Sequence, residues 1–211
     1  MEIIPVNNTA PFPLPLYSTA RVGSARSSDG EGFLILAGLD KGLVAQLKKF
    51  SLDTSDAELQ RTSDRERFGG DSYQAWYEKS RTPFALVHEK TGALAAIAWF
   101  GPKPLGRKPL NRLSAAERTE EYRRIDSQNW HVIAYRSYPP FRGKGLMKGF
   151  TKFAMDAYAG QHPGANFWAG IDTENIGSIA LAEGLGFSPD EGISDRTKHW
   201  LVMVKRSNIF S

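Results

Sequence analysis

Two glycine-marked segments constrain this chain more than anything else in it: Arg142-Gly-Lys-Gly-Leu-Met147 and Asn175-Ile-Gly-Ser-Ile-Ala-Leu-Ala-Glu-Gly-Leu-Gly-Phe187. The first reads as a glycine-rich turn running into a helix, with Leu146, Phe150, Phe153 and Ala157 forming an apolar stripe and Gly160 and Pro163 ending it. The second reads as a short helix capped by Asn175, with Gly186 as a left-handed C-terminal residue and Phe187 returning to the core. A glycine turn at a helix N-terminus gathers unpaired backbone N–H groups and the positive end of the helix dipole at one point, which suits a diphosphate. The loop is too short for a P-loop, and its pattern is not that of a dinucleotide fingerprint.

The rest of the chain alternates between two periods. Phe33 to Leu36, Phe84 to Glu89, Ala93 to Phe100, Trp130 to Tyr138, Phe167 to Asp172 and Trp200 to Lys205 read as strands. Lys90-Thr91-Gly92 is a hairpin turn, and Pro139-Pro140 ends the fourth strand by removing two ladder donors. Asp40 opens a helix with Leu43, Val44, Leu47 and Phe50 on one face, and a second helical region spans roughly 56–80, broken at Gly69-Gly70. Residues 1–30 are rich in Pro, Ser and Gly and read as an extended N-terminal arm. Residues 31–211 form one α/β (α+β) domain with a basic insertion at about 102–127, in which Ser114 and Glu117 make a capping-box pattern.

The order strand, two helices, three strands, helix, strand, helix, strand, together with the two glycine segments, resembles the Gcn5-related N-acetyltransferase (GNAT) family over roughly 32–206. That resemblance implies a mixed, splayed central sheet of about six to seven strands flanked by helices. It also implies acetyl-CoA as co-substrate, no metal, and direct attack of an amine on the thioester. Arg142 and Gly145 match the first and fourth positions of the family's Gln/Arg-x-x-Gly-x-Gly/Ala loop, while Met147 replaces its final small residue. Carried over residue by residue, Arg142, Gly143, Lys144, Gly145, Leu146, Met147 and Lys148 are expected at the phosphates. Asn175 is expected at the pantetheine arm with Ser178 beside it, and the strand end Tyr135, Arg136 and Ser137 at the thioester carbonyl. Many relatives place a thiolate-protonating tyrosine four residues after Ser178; here that position is Ala182.

An attacking amine must lose a proton. By residue count back from the loop, His131 falls where some relatives place a glutamate, and an ordinary histidine pKa near 6.5 suits a base. The same pattern also describes a packed strand histidine. Tyr135 is a candidate proton donor or a wall beside the acyl group, and Glu89, His88 and Asp126 are further options at strand or loop ends.

Composition sets the outer limits. The chain has no cysteine, which excludes disulfides, thiolate zinc sites and a cysteine nucleophile. Residues 103–124 hold seven Lys/Arg against three Glu, a net +4 equal to that of the whole chain, so the basic balance is local and a nucleic-acid surface is not expected. No run is long and apolar enough for a membrane helix and no signal peptide is visible, so the expected location is cytoplasmic. The expected function is acetyl transfer to a primary amine, on a small molecule or a protein. The competing expectations are a degenerate acyl-CoA-binding sensor or scaffold, and an acyltransferase drawing on a carrier protein or aminoacyl-RNA docked at the insertion.

Overall fold

The computed structural model describes residues 1–7, 10–62, 68, 72–106, 114 and 128–207. Nearly all of the basic insertion, with its expected helix after Ser114 and Asp126, lies outside them. Among the described residues nine strands form: β1 (Glu2–Pro5), β2 (Thr19–Arg26), β3 (Gly32–Gly38), β4 (Thr82–His88), β5 (Leu94–Pro102), β6 (Trp130–Ser137), β7 (Asn166–Asp172), β8 (Ser188–Pro189) and β9 (Trp200–Lys205). Their hydrogen-bonded order is β1-β2-β3-β4-β5-β6-β7-β9-β8. The α-helices among the described residues are α1 (Lys41–Leu52), α2 (Ala57–Thr62), α3 (Ser72–Tyr77), α4 (Leu146–Gln161) and α5 (Ile176–Gly184). The open sheet is mixed, as expected, but larger than six or seven strands. The additions are β1 and β2, both from the segment expected as an arm, and the two-residue β8.

The chain divides into two compact units, Met1–Trp99 with Tyr135–Gln161, and Phe100–Ala134 with His162–Ser211. In the first unit β1, β2, β3 and β4 pair antiparallel in succession. On β3, Phe33, Ile35 and Ala37 are fully buried while Leu34 and Leu36 are half-buried, the alternation of a strand with one inner face. Along β4 and β5 nearly every residue is buried, as strands covered on both faces require. The β4–β5 turn is closed by the Gly92 N–H donating to the His88 carbonyl at 2.9 Å. Helix α1 is capped by Asp40, whose Oδ1 accepts from the Leu43 N–H at 2.8 Å, and buries Leu43, Val44 and Leu47.

The N-terminal segment is tied down at several points. The Phe12 N–H donates to Gln161 Oε1 at 2.7 Å, Gln161 Nε2 donates to the Ala10 carbonyl at 3.0 Å, and the Tyr77 hydroxyl donates to the Leu14 carbonyl. On α4 the buried row is Leu146, Phe150, Ala154 and Tyr158, flanked by Thr151 and Met155. This shifts the expected stripe: Phe153 and Ala157 lie at its half-buried border. The Phe153 ring instead lies over β2, 3.1 Å from where a Cβ on Gly23 would stand.

In the second unit β6 and β7 run parallel and β7 pairs antiparallel with β9. Leu105, Trp130, Trp168, Val202 and Val204 form its core, with Trp168 Nε1 donating to the Lys103 carbonyl at 2.9 Å. Gly170 sits where a Cβ would lie 2.0 Å from the Trp200 ring, so the indole takes the place of a side chain there. Helix α5 ends as the sequence suggests. The Phe187 N–H donates to the Ala182 carbonyl and the Gly186 N–H to the Glu183 carbonyl, with Gly186 at φ 87°, a Schellman closure.

Candidate functional site

The parallel β6–β7 ladder contains three residue pairs and ends at Val132 opposite Trp168, while β6 continues to Ser137. Past that point the β6 backbone belongs to no ladder with β7. The Tyr138 N–H still donates to the Ala95 carbonyl at 2.9 Å, so β6 keeps its place beside β5 at its far end. Tyr138 itself is buried and stacks on Phe50 at 4.4 Å. From there the chain turns through Phe141 into the glycine loop and α4.

That loop frames a cavity of about 340 Å³ lined by Ala95, Ala96, Ser137, Phe141 and the run from Arg142 to Lys148. Gly143 and Gly145 hold φ values of 74° and 69°, conformations that favour glycine, and a Cβ on either would meet nothing within 4 Å. Gly145 directly precedes α4 and has no side chain with which to cap it. As at any helix start, the first amides of α4 have no intrahelical acceptor, and no acidic residue stands in its first turn. An anion is the natural complement of such an end.

The two cationic side chains of the loop are engaged elsewhere. Arg142 Nη1 and Nη2 donate to Asp56 Oδ1 and Oδ2, both at 2.6 Å, and its Nε donates to the Ser137 carbonyl at 3.0 Å. Asp56 Oδ1 also accepts from the Leu59 N–H at 3.1 Å, capping α2. The guanidinium holds the Asp56 carboxyl below the usual carboxylate range, and Asp56 in turn raises the Arg142 pKa. Lys144 Nζ lies 2.9 Å from Glu31 Oε2 and 3.9 Å from Asp29 Oδ2, and its pKa is raised, first by the hydrogen bond it donates to Glu31. Asp56, Glu31 and Asp29 carry no local pattern in the sequence that links them to this loop.

Of the other expected residues, Tyr135 is half-buried, and the Arg136 guanidinium lies over the Phe68 and Trp99 rings at 5.0 and 5.5 Å. Arg136 is thus held in an aromatic cluster rather than aimed at the loop's cavity. In the second unit, Asn175 caps α5 by accepting the Ser178 N–H at 3.0 Å, and Ala182 is buried in that helix. His131 is 5% exposed, with Nε2 3.0 Å from Asn129 Oδ1 and its ring beside His162 and Phe167 at 5.3 and 6.4 Å. Burial first, and His162 second, push its pKa down to about 4. It is neutral at pH 7, a poor proton acceptor, and is surrounded as a packed strand histidine is. His88 turns its Nδ1 to Thr91 Oγ1 at 2.8 Å, in the hairpin turn. Among the described residues no group of three or more His, Cys, Asp or Glu is placed to hold a metal ion.

The model of the acetyltransferase (GNAT) family matches residues 50–187. No curated protein matches the sequence. Among solved structures, the GNAT domain of S. lividans PAT aligns at 13% identity and TM-score 0.60, covering 87% of this chain and 96% of that one. The ribosomal-protein-S5-alanine acetyltransferase from Vibrio fischeri aligns at 12% and 0.54, covering 84% and 95%. Spermidine N-acetyltransferase from Vibrio cholerae, solved with CoA and spermine, aligns at 12% and 0.54, covering 82% and 92%. At such identities these likenesses speak to the fold alone. The family match spans well over half the chain, and on that ground the protein belongs to the acetyltransferase (GNAT) family.

Proposed function

We propose that the protein is an acyl-CoA-dependent N-acyltransferase that passes an acetyl group to a primary amine. The observation that carries the reading is the α4 N-terminus behind Gly143 and Gly145, which has no side chain at its capping position and opens on a cavity with no carboxylate among its described lining residues. The residues present fit a coenzyme A diphosphate: left-handed glycines that let backbone approach, amides without acceptors, and no acidic group in the first helical turn. When bound, the coenzyme supplies an acyl thioester whose carbonyl carbon is open to nucleophilic attack.

The chain's own part is positioning and electrostatics. Gly143 to Lys148 seat the diphosphate, Asn175 and Ser178 are assigned to the pantetheine arm, and the β6 end from Tyr135 to Ser137 is assigned to the acyl carbonyl. A fixed backbone donor at that strand end would stabilise developing negative charge without reorganisation. We assign the amine proton to water rather than to His131, because a buried imidazole with a pKa near 4 gains little by accepting it. A thiolate, with a thiol pKa near 8.5, leaves at neutral pH without a side-chain acid. Ala182 supplies none, and Tyr135 serves as a wall beside the acyl group.

That absence favours one second reading, an acyl-CoA-binding sensor on the same fold, since general acid help is worth about 10²–10⁴-fold. The experiment is acetyl-CoA turnover against a panel of amines, followed by mass change, beside calorimetric titration with coenzyme A. An acetylated amine supports the enzyme, and tight binding with no product supports the sensor. The Gly145→Asp variant locates the site. Aspartate tolerates the left-handed region better than most residues and its Cβ meets open space, so the protein should fold with a carboxylate beside the phosphates. Unchanged coenzyme affinity in that variant would refute the assignment of this loop.

A further inference from the structure

A loop with two left-handed glycines is entropically costly to hold in one shape. It presents a fixed set of amides only if something outside it braces it. In this protein the brace comes from α2, 86 residues earlier in the chain. Asp56 grips both terminal nitrogens of Arg142 at 2.6 Å in a fork, while Arg142 Nε reaches back to the Ser137 carbonyl at 3.0 Å. One guanidinium thereby joins the end of β6, the start of the loop and the cap of α2. The Asp56 side chain is 6% exposed and that of Arg142 24%, so the carboxylate is enclosed and the guanidinium only partly open to solvent. Three of the five guanidinium N–H donors are spent on this bracing.

We propose that Asp56 is a positioning residue for the diphosphate loop, holding Arg142 as a strut that fixes the loop rather than leaving it as a ligand of the phosphates. The inference rests on coenzyme binding at the loop and adds to it a role for two side chains. Removing Arg142 strands the buried carboxylate, and removing Asp56 leaves the guanidinium only Glu58, 3.5 Å away and 68% exposed, so either change undoes the fork and releases the loop. The amides must then be ordered at the moment of binding, and that cost appears as lost affinity.

Two substitutions separate a strut from a phosphate ligand. Arg142→Lys keeps a cation beside the loop but cannot make the fork and the bond to Ser137 together. A strut predicts that Arg142→Lys and Asp56→Asn each weaken coenzyme A binding by about tenfold, through displacement of the amides. It also predicts that the double variant is no weaker than either single one, and that the slope of affinity against salt is unchanged because no phosphate contact is lost. With an acceptor in hand, KM for acetyl-CoA rises while kcat moves little. Coenzyme A calorimetry on the full chain at low and high salt, with a thermal melt to establish folding, reads all of this. Where Asp56→Asn does not fold, Arg142→Lys and Arg142→Gln carry the comparison: a strut makes both weak, a phosphate ligand spares the lysine. Full affinity in Asp56→Asn, wild-type affinity in Arg142→Lys, or a flattened salt slope in Arg142→Gln would overturn the proposal. A wild-type protein that does not bind coenzyme A would overturn the reading of the loop itself.

Discussion

Lys144 shows at the scale of one side chain how partial a motif can be. By charge and place in the sequence, Arg142 and Lys144 were expected at a polyphosphate. Their partners were not legible there, because Asp56 lies 86 positions and Glu31 113 positions away. No local pattern encodes a pairing made by tertiary structure. The two ion pairs also differ in kind. Asp56 is nearly enclosed, whereas the Glu31 and Lys144 side chains are 34% and 32% exposed, a pair that water screens. If the loop holds the diphosphate as proposed, Glu31 is a mild competitor for the lysine. The Glu31→Gln variant should bind coenzyme A somewhat more tightly, by no more than about fivefold given the small worth of exposed pairs. Its affinity should fall more steeply with added salt, since a cation left with only the distant, exposed Asp29 is more available to phosphate. Titration of the two proteins across ionic strength checks both. Weaker binding by Glu31→Gln would show instead that the carboxylate places Lys144.

Secondary-structure elements were read correctly where one face is buried and the pattern is strong, as in β3, α1 and α4. On α4 the buried row was misplaced by a residue, because at 3.6 residues per turn Phe153 and Ala154 both fall within the inward arc and only packing chooses between them. Strand β2 carries no strand pattern for a different reason. Thr19-Ala-Arg-Val-Gly-Ser-Ala-Arg26 has small residues where a pattern would show large apolar ones. Gly23 must be small, since a Cβ there would stand 3.1 Å from both the Ile4 carbonyl oxygen and the Phe153 ring. Both ends of α5, in contrast, were legible, because caps are local chemistry. Replacing the cap in Asn175→Ala leaves the Ser178 N–H without its acceptor and should destabilise the protein by about 1 kcal/mol, a lowered melting temperature of a few degrees. An unchanged melt would show that water caps α5 as well as the amide does.

Over the whole molecule, stability should carry a mark of the buried histidine. An unfolded histidine titrates near 6.5, and His131 in the folded chain near 4. The unfolded state therefore binds the proton more readily between those values. The stability due to neutral His131 is complete above about pH 6.5 and drains away as pH falls to 4, by about 3 kcal/mol. Burial lowers the neighbouring His162 pKa as well, with the same sign. Urea midpoints measured from pH 7 to 4 should fall, and the fall should shrink in His131→Gln; parallel curves would place the acid sensitivity elsewhere. Fold class was legible at this scale because the element order is distinctive, whereas neither compact unit is an unbroken stretch of sequence and no composition boundary marks them. The Asp56–Arg142 fork carries a lesson about descent. Loss of Arg142 alone strands the enclosed Asp56 carboxylate, and loss of Asp56 leaves Arg142 only the exposed Glu58, so among close relatives the two positions should tend to change together. An arginine and two glycines are then only half of an inherited signature, and the other half was written before the sheet's central strands.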